Sequence, residues 1–351
     1  MYVREAAATD NDNLIALQKK CPQGTTIVVL SVNTPDFFGR VKVYRDYRVF
    51  VACEDDRIIA SAACALRDVR INGDIEKVAY EFQLFVDPGY RGRRIAGQLH
   101  EVREEYIRKQ GAALSYGIIM EGNIPSMRHT ERQGFQRYRT LVMPCISVFR
   151  EMEVRTEGEV RTVVPGDLPT VATLINDTWR NYDFYEPLTA AGLDALIARV
   201  PGYSYDNLSV LEKDGKIMAC LGFWDWSSVM QVTVQALSRK MRVMNLVLDT
   251  VGLFRPVPAL PKPGSLLKQI VLTPLGFRET KHIAALLRHL NNRALGGGIE
   301  QIFLICEKSH PVLDSLKKFT HIDTDMNLYI KSLKEDLVLS DRPVFIDGLD
   351  L

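Results

Sequence analysis

No stretch of this chain approaches the ~20 consecutive apolar residues of a membrane span, and the N-terminal MYVREAAATDND has no apolar core of the secretory-signal type. Charge of one sign is not in excess either. The 44 Lys and Arg against 43 Asp and Glu leave a net charge of +1, so no general attraction to nucleic acid or to a membrane is expected, and any basic site must be local. The six cysteines (Cys21, Cys53, Cys64, Cys145, Cys220 and Cys306) form no CxxC, which excludes the usual disulfide and zinc frameworks. The six histidines make no HExxH or paired-ligand spacing, so no metal is expected, and Ser115 and the cysteines sit in no nucleophile motif. These absences leave a soluble, reduced, cytoplasmic protein, long enough at 351 residues for two domains.

What is present alternates between helical and extended patterns. Over residues 1–150 the order is a short strand (YVREA), a helix opening near Thr9 or Asp10, a hairpin across EDD, and the strand EKVAYEFQLFV. There follow the helix AGQLHEVREEYIRKQG ended by Gly111, the strand AALSYGIIM, a short helix after Asn123 ended by Gly134, and the strand FQRYRTLVMPCISVF. In EKVAYEFQLFV, period two places Val78, Tyr80, Phe82, Leu84 and Val86 on one face and Glu81 and Gln83 on the other. After the polar stretch REMEVRTEGEV the same succession recurs without residue identity, with a hairpin across KDG and HPVLDSLKKF as a helix. The Pro-rich FRPVPALPKPGS has no regular pattern, and the tail DLVLSDRPVFIDGLDL is either a docked extension or a frayed end.

The densest signal is RGRRIAGQL, where a strand meets a Pro-Gly turn, three arginines and the start of an apolar helix. A helix N-terminus offers unpaired N–H groups and partial positive charge, and small residues let a ligand approach the backbone. With Arg91, Arg93 and Arg94 added, the site suits a pyrophosphate.

These residues resemble the GNAT superfamily of acetyl-CoA-dependent N-acetyltransferases. The family's phosphate loop, Arg/Gln-x-x-Gly-x-Gly/Ala after a strand ending Val-x-Pro, is matched by Val86-Asp87-Pro88 and by Arg91, Ile95 and Ala96, with Arg94 where the pattern has its first glycine. Asn123 through Gly134-Phe135 matches the second signature. The resemblance implies a mixed α/β fold of two tandem GNAT-like domains, each a mostly antiparallel twisted sheet flanked by helices. Domain one spans 1–150, a degenerate non-catalytic copy spans 155–335, and a tail covers 336–351. It further implies that the amides of Arg91, Gly92, Arg93, Arg94, Ile95, Ala96 and Gly97 hold the coenzyme A pyrophosphate, with Asn123 and Ser126 at the second signature. The amides of Phe85 and Val86 would polarise the thioester, and the strand after the helix would splay away to open a cleft. Arg94 is expected in a right-handed conformation, where any residue fits.

Transfer to an amine needs a base, because an unperturbed lysine has a pKa of about 10.4. Glu81 is the candidate, with Gln83 as a weaker one for positioning water. Many family members carry an acidic tyrosine where this chain has Thr130. His129, beside it, projects about 100° away on a helix, which leaves Tyr116, Tyr138 or water to protonate the thiolate. In the second half Gly276 stands where a loop belongs, but Arg278 is followed by Glu279, whose negative charge would oppose a phosphate. Two readings stay open: an N-acetyltransferase moving an acetyl group from acetyl-CoA to the amine of a small molecule or protein, as a monomer or homodimer, or a catalytically weak acyl-CoA-binding or interaction protein that kept the fold.

Overall fold

The computed structural model describes residues 1–254, 256–258 and 260–351. The first half runs β1 (Tyr2–Glu5), α1 (Asn11–Gln18), β2 (Ile27–Asn33), β3 (Asp46–Glu54), β4 (Arg57–Ile71), β5 (Asp74–Val86), α2 (Ile95–Lys109), β6 (Leu114–Met120), α3 (Ile124–Arg132) and β7 (Gln136–Ser147). The second runs β8 (Glu159–Thr162), α4 (Leu168–Trp179), α5 (Ala190–Arg199), β9 (Leu208–Lys213), β10 (Lys216–Asp225), β11 (Met230–Leu237), α6 (Arg239–Gly252), β12 (Gln269–Phe277), α7 (Thr280–Gly296), β13 (Gln301–Phe303), β14 (Cys306–Glu307) and β15 (His321–Ser332).

Hairpin chemistry sets the local register. Asn72 and Gly73, both at positive φ, make the two-residue turn between β4 and β5, and Asp214-Gly215 do the same between β9 and β10. β2 and β11 pair as a separate two-stranded ribbon. HPVLDSLKKF forms only a 3₁₀ segment, Pro311–Leu316, and EQIFLIC divides into β13 and β14. In the Pro-rich stretch, Arg255 and Ala259 lie outside the described residues, and its other residues form turns and coil.

The main sheet has 13 strands in the order β1-β3-β4-β5-β6-β15-β7-β13-β12-β10-β9-β8, with β14 beside β7. Its pairs are antiparallel except β5 with β6 and β12 with β13. The order is a pseudo-twofold about the β15–β7 pair, and each half gives its last strand to the other. β15 pairs with β6 of the first half, while β7 pairs with β13 of the second. The polar stretch near residue 150 therefore separates elements in sequence but not sheets in space. The main apolar core runs through both halves, from Tyr44, Tyr80 and Tyr116 to Trp224 and Leu272. α2 and α1 cover opposite faces of β3–β5, around Ile95, Leu99 and Ala79 on one side and Leu14, Val51 and Phe85 on the other. The tail is docked: Val344, Ile346 and Leu349 are buried, and Arg40 and Tyr44 donate to the Leu349 carbonyl.

Candidate active site

The site begins at an irregularity in β5. Ser61 faces Phe85 and Ala63 faces Phe82, so β5 carries one residue more than β4 over this stretch, a β-bulge with Gln83 at φ +52°. The extra residue overturns the simple alternation expected of EKVAYEFQLFV. Phe82 and Phe85 both pack on the α1 side, whereas Leu84 and Val86 pack under α2. β6 runs parallel to β5 for three pairs only, Val78–Leu114, Ala79–Ser115 and Tyr80–Tyr116. From Glu81 onward β5 and β6 are no longer paired, while β6 stays paired with β15 along its length, so the bulged edge of β5 has no partner strand on that side.

Beyond the strand, Asp87 fixes the turn. Its Oδ1 accepts from the Gly89 amide at 3.0 Å, and its Oδ2 lies 2.9 Å from Lys20 Nζ and 3.1 Å from the Arg57 guanidinium. The side-chain bond from Lys20, with the Gly89 amide and Arg57, outweighs partial burial and holds the Asp87 carboxyl below its ordinary value. Gly92 has φ +80° and open space where a Cβ would stand. The amides of residues 92–96 have no backbone acceptor among the described residues, and Arg91, Gly92, Arg93 and Arg94 are exposed. This is a cradle of free N–H groups at the start of α2, fitting an anionic phosphate group. Arg94 is not right-handed as expected: it caps α2 at φ +63°, ψ 11°. The turn demands the left-handed conformation that glycine adopts freely and arginine at a cost. At the other signature, Asn123 accepts from the Ser126 amide at 3.4 Å, so both residues act as the cap of α3.

Glu81 faces α2 and is buried. It pairs with Arg103, and its Oε2 lies 3.5 Å from His100 Nδ1, while His100 Nε2 lies 2.9 Å from Glu104. Burial alone would raise the Glu81 carboxyl, but the Arg103 guanidinium and His100 hold it below its ordinary value. Glu81 Oε1, Gln83 Oε1, Arg103 Nε and Ser115 Oγ are buried without partners among the described residues, a polar lining beside the splayed strands. His129 on α3 is half-buried, and burial, with the charges of His100 and Arg103, pushes it below its ordinary value.

Tyr116 lies on the opposite face. It is fully buried, stacks on Tyr80 at 5.1 Å, and donates to Asp350 Oδ2 at 3.1 Å. Asp350 also accepts from Tyr44 at 3.0 Å and from Arg67 at 2.9 Å, and its carbonyl accepts from Tyr80. Burial pushes Tyr116 well above its ordinary value and raises the Asp350 carboxyl, which Arg67 partly offsets. Glu81 and Tyr116 are thus brought to opposite faces of one sheet rather than to one point. Tyr138 is committed elsewhere, donating to the Ser340 carbonyl at 2.7 Å. Arg67, Asp350, Arg103 and His100 were not legible as site residues. Arg103 and His100 share the inward face of α2, a signal that helical spacing carried; nothing local pointed to Asp350, more than 200 residues from its partners.

The second half keeps the scaffold and fills it. Leu221 faces Leu275 and Phe223 faces Leu272, so β12 also carries an extra residue, at Thr273-Pro274, in the place equivalent to the β5 bulge. There Tyr203 donates to the Thr273 carbonyl at 2.9 Å, and Thr273 Oγ1 bonds Asp347 of the tail at 2.7 Å. A Cβ on Gly276 would meet the Ile175 backbone at 2.9 Å, so this glycine serves helix packing and not a phosphate. Beside this second bulge lies a cavity of about 220 Å³ at the junction of the halves. Tyr44 and Arg67 wall it on one side, and Glu186, Leu196, Asp347 and Ile305 on the other.

A model of the Acetyltransferase (GNAT) family matches residues 18–135. The chain is 25% identical over 282 residues to a probable N-acetyltransferase, HLS1, of Arabidopsis thaliana, covering 74% of this chain and 70% of that one. Among solved structures it resembles Saccharomyces cerevisiae N-myristoyltransferase with bound myristoyl-CoA (TM-score 0.64, 12% identity, 98% of this chain and 85% of that one). It also resembles a fungal glucosamine N-acetyltransferase region within a GH3 β-N-acetylglucosaminidase (TM-score 0.63, 13% identity, 94% of this chain and 38% of that one). At these identities the two structures speak to the fold.

Proposed function

Because the chain belongs to the GNAT superfamily through its residues 18–135, we propose that it is an N-acetyltransferase that moves an acetyl group from acetyl-CoA to a primary amine. The observation that carries this reading is the bulged, unpaired edge of β5 opening beside the free amides at the start of α2. A pyrophosphate held at the amides of residues 92–96, the Arg91 and Gly97 amides being bonded to the Pro88 and Arg94 carbonyls, sends the pantetheine along that edge, past Val86 and Phe85, toward the bulge. Backbone N–H groups there polarise the thioester carbonyl. Glu81, kept ionised by Arg103, offers Oε1 as the acceptor for the amine's proton, through a water in the polar lining. The acceptor amine meets the thioester on the α2 side of the sheet, beside Glu81, Gln83 and Ser115, and does not enter from the junction cavity, whose walls include none of these residues. The second half binds no acyl-CoA in this reading, its bulge being occupied by Tyr203 and the tail.

A second reading, acyl-CoA binding without efficient turnover, is favoured by one observation: Tyr116 and Tyr138 are both engaged away from the cleft, and Thr130 is a poor proton donor. Coenzyme A release, followed with a thiol reagent over a panel of amines, separates the two. Turnover with any amine supports the first reading. Calorimetric binding of acetyl-CoA without release supports the second, and absence of both discards the acyl-CoA assignment.

A further inference from the structure

We propose that α6 seats the protein on an anionic lipid bilayer. The helix belongs to an excursion, β11 and α6, that stands apart from the main sheet on the β2–β11 ribbon. Its inner face is anchored by a small cluster in which Met241 and Met244 meet Val234, Leu237 and Ile27. Its outer face is apolar as well. Val243 is 64% exposed, Leu246 70%, Val247 54%, Leu253 79% and Phe254 86%. At 100° per residue, Val243, Leu246, Val247 and Thr250 lie along one side of the helix, and Leu253 and Phe254 follow just past its C-terminal end. A run of large exposed apolar side chains along one side of a surface helix is not what a water-facing helix needs.

The charges choose the occupant. Lys240 and Arg242 lie on the two edges of the stripe and Arg239 at its N-terminal end, all three exposed and without an ion-pair partner among the described residues. Asp249, on the same flank of the helix as Arg242, pairs with Lys262 at 3.0 Å. An apolar stripe between cations complements a flat surface that is oily within and negative at its rim. The net charge of +1 hides this local concentration because acidic residues elsewhere balance it.

The test uses the full chain with sedimenting vesicles of phosphatidylcholine alone or mixed with phosphatidylserine. Binding is expected to the mixed vesicles and to weaken with salt. Replacing Arg239, Lys240 and Arg242 together by Gln is expected to lower partitioning on the order of 10²-fold, at ~1 kcal/mol for each cation. Leu246→Asp with Phe254→Asp is expected to lower it at least about tenfold. These side chains lie outside the core, so circular dichroism should show both variants folded. No sedimentation with the mixed vesicles overturns the proposal, as does binding that neither variant alters. Concentration-dependent dimerisation abolished by Leu246→Asp, without vesicle binding, overturns it in favour of a second copy of the chain.

Discussion

At single residues, function and stability pull in different directions. Arg94 occupies a left-handed position that costs an L-residue roughly 1–2 kcal/mol, part of which glycine would return as chain entropy. Arg94→Gly is therefore expected to raise stability by up to about 1 kcal/mol in urea unfolding; a loss of stability would show that the Arg94 side chain makes an offsetting contact. Glu81 is the harder case, since it is buried against Arg103. Removing one partner of such a pair costs about 3–5 kcal/mol, so Glu81→Gln should be much less stable as well as slower by on the order of 10²–10⁴ in turnover. The double variant Glu81→Gln with Arg103→Met should recover much of the stability but none of the turnover; recovery of both would remove Glu81 from the mechanism. Because the folded carboxyl lies below its ordinary value of 4.5, its stabilisation is present above that pH and is lost as pH falls through the lower folded value. The acid limb of a stability–pH curve should accordingly be shallower in the double variant than in the native chain.

The elements show what a linear reading reaches and where it stops. Loop, caps and helices were legible because their signals are local: Asn123 bonds its own helix start, and Gly134 at φ +87° ends the helix. The β5 bulge was not, because an extra residue is defined only against the partner strand, and period two looked continuous through Gln83. The burial of Glu81 followed from the same limit: alternation placed it on a face, but only α2, packed on that face, makes the face an interior. The helix α6 was passed over between a hairpin and a Pro-rich loop, and its outward stripe is what a helix buried on both sides would also show in sequence. The bulge itself is testable. With Gln83 at φ +52°, Gln83→Gly should keep or gain stability, while Gln83→Val, β-branched in a left-handed position, should lose about 1–3 kcal/mol. Equal stability of the two variants would mean that the bulge relaxes in solution.

The whole molecule is less divisible than its repeat suggests. Two halves with the same succession of elements invite the expectation that each folds alone, yet β15 completes the first half and β7 completes the second. Residues 1–150 expressed alone would keep β6 and β7 but lose β15, the strand that lies between them and pairs with both. The loss also strands Arg67, Tyr44, Tyr80 and Tyr116, four buried polar side chains whose partner Asp350 comes from the far end of the sequence. Each unsatisfied buried group costs about 1–3 kcal/mol, and the apolar junction newly exposed costs roughly 25 cal/mol per Å² more. Against a total stability of about 5–15 kcal/mol for a typical domain, these losses suffice to unfold the fragment or drive it to pair its open edges with another copy. The intact chain should consequently unfold in one cooperative transition, with near-UV and far-UV signals coincident, and bind one acetyl-CoA by calorimetry because the second bulge is filled from within. Two separated transitions, or a monomeric 1–150 fragment as resistant to denaturant as the full chain, would show that the exchanged strands join halves that were already complete.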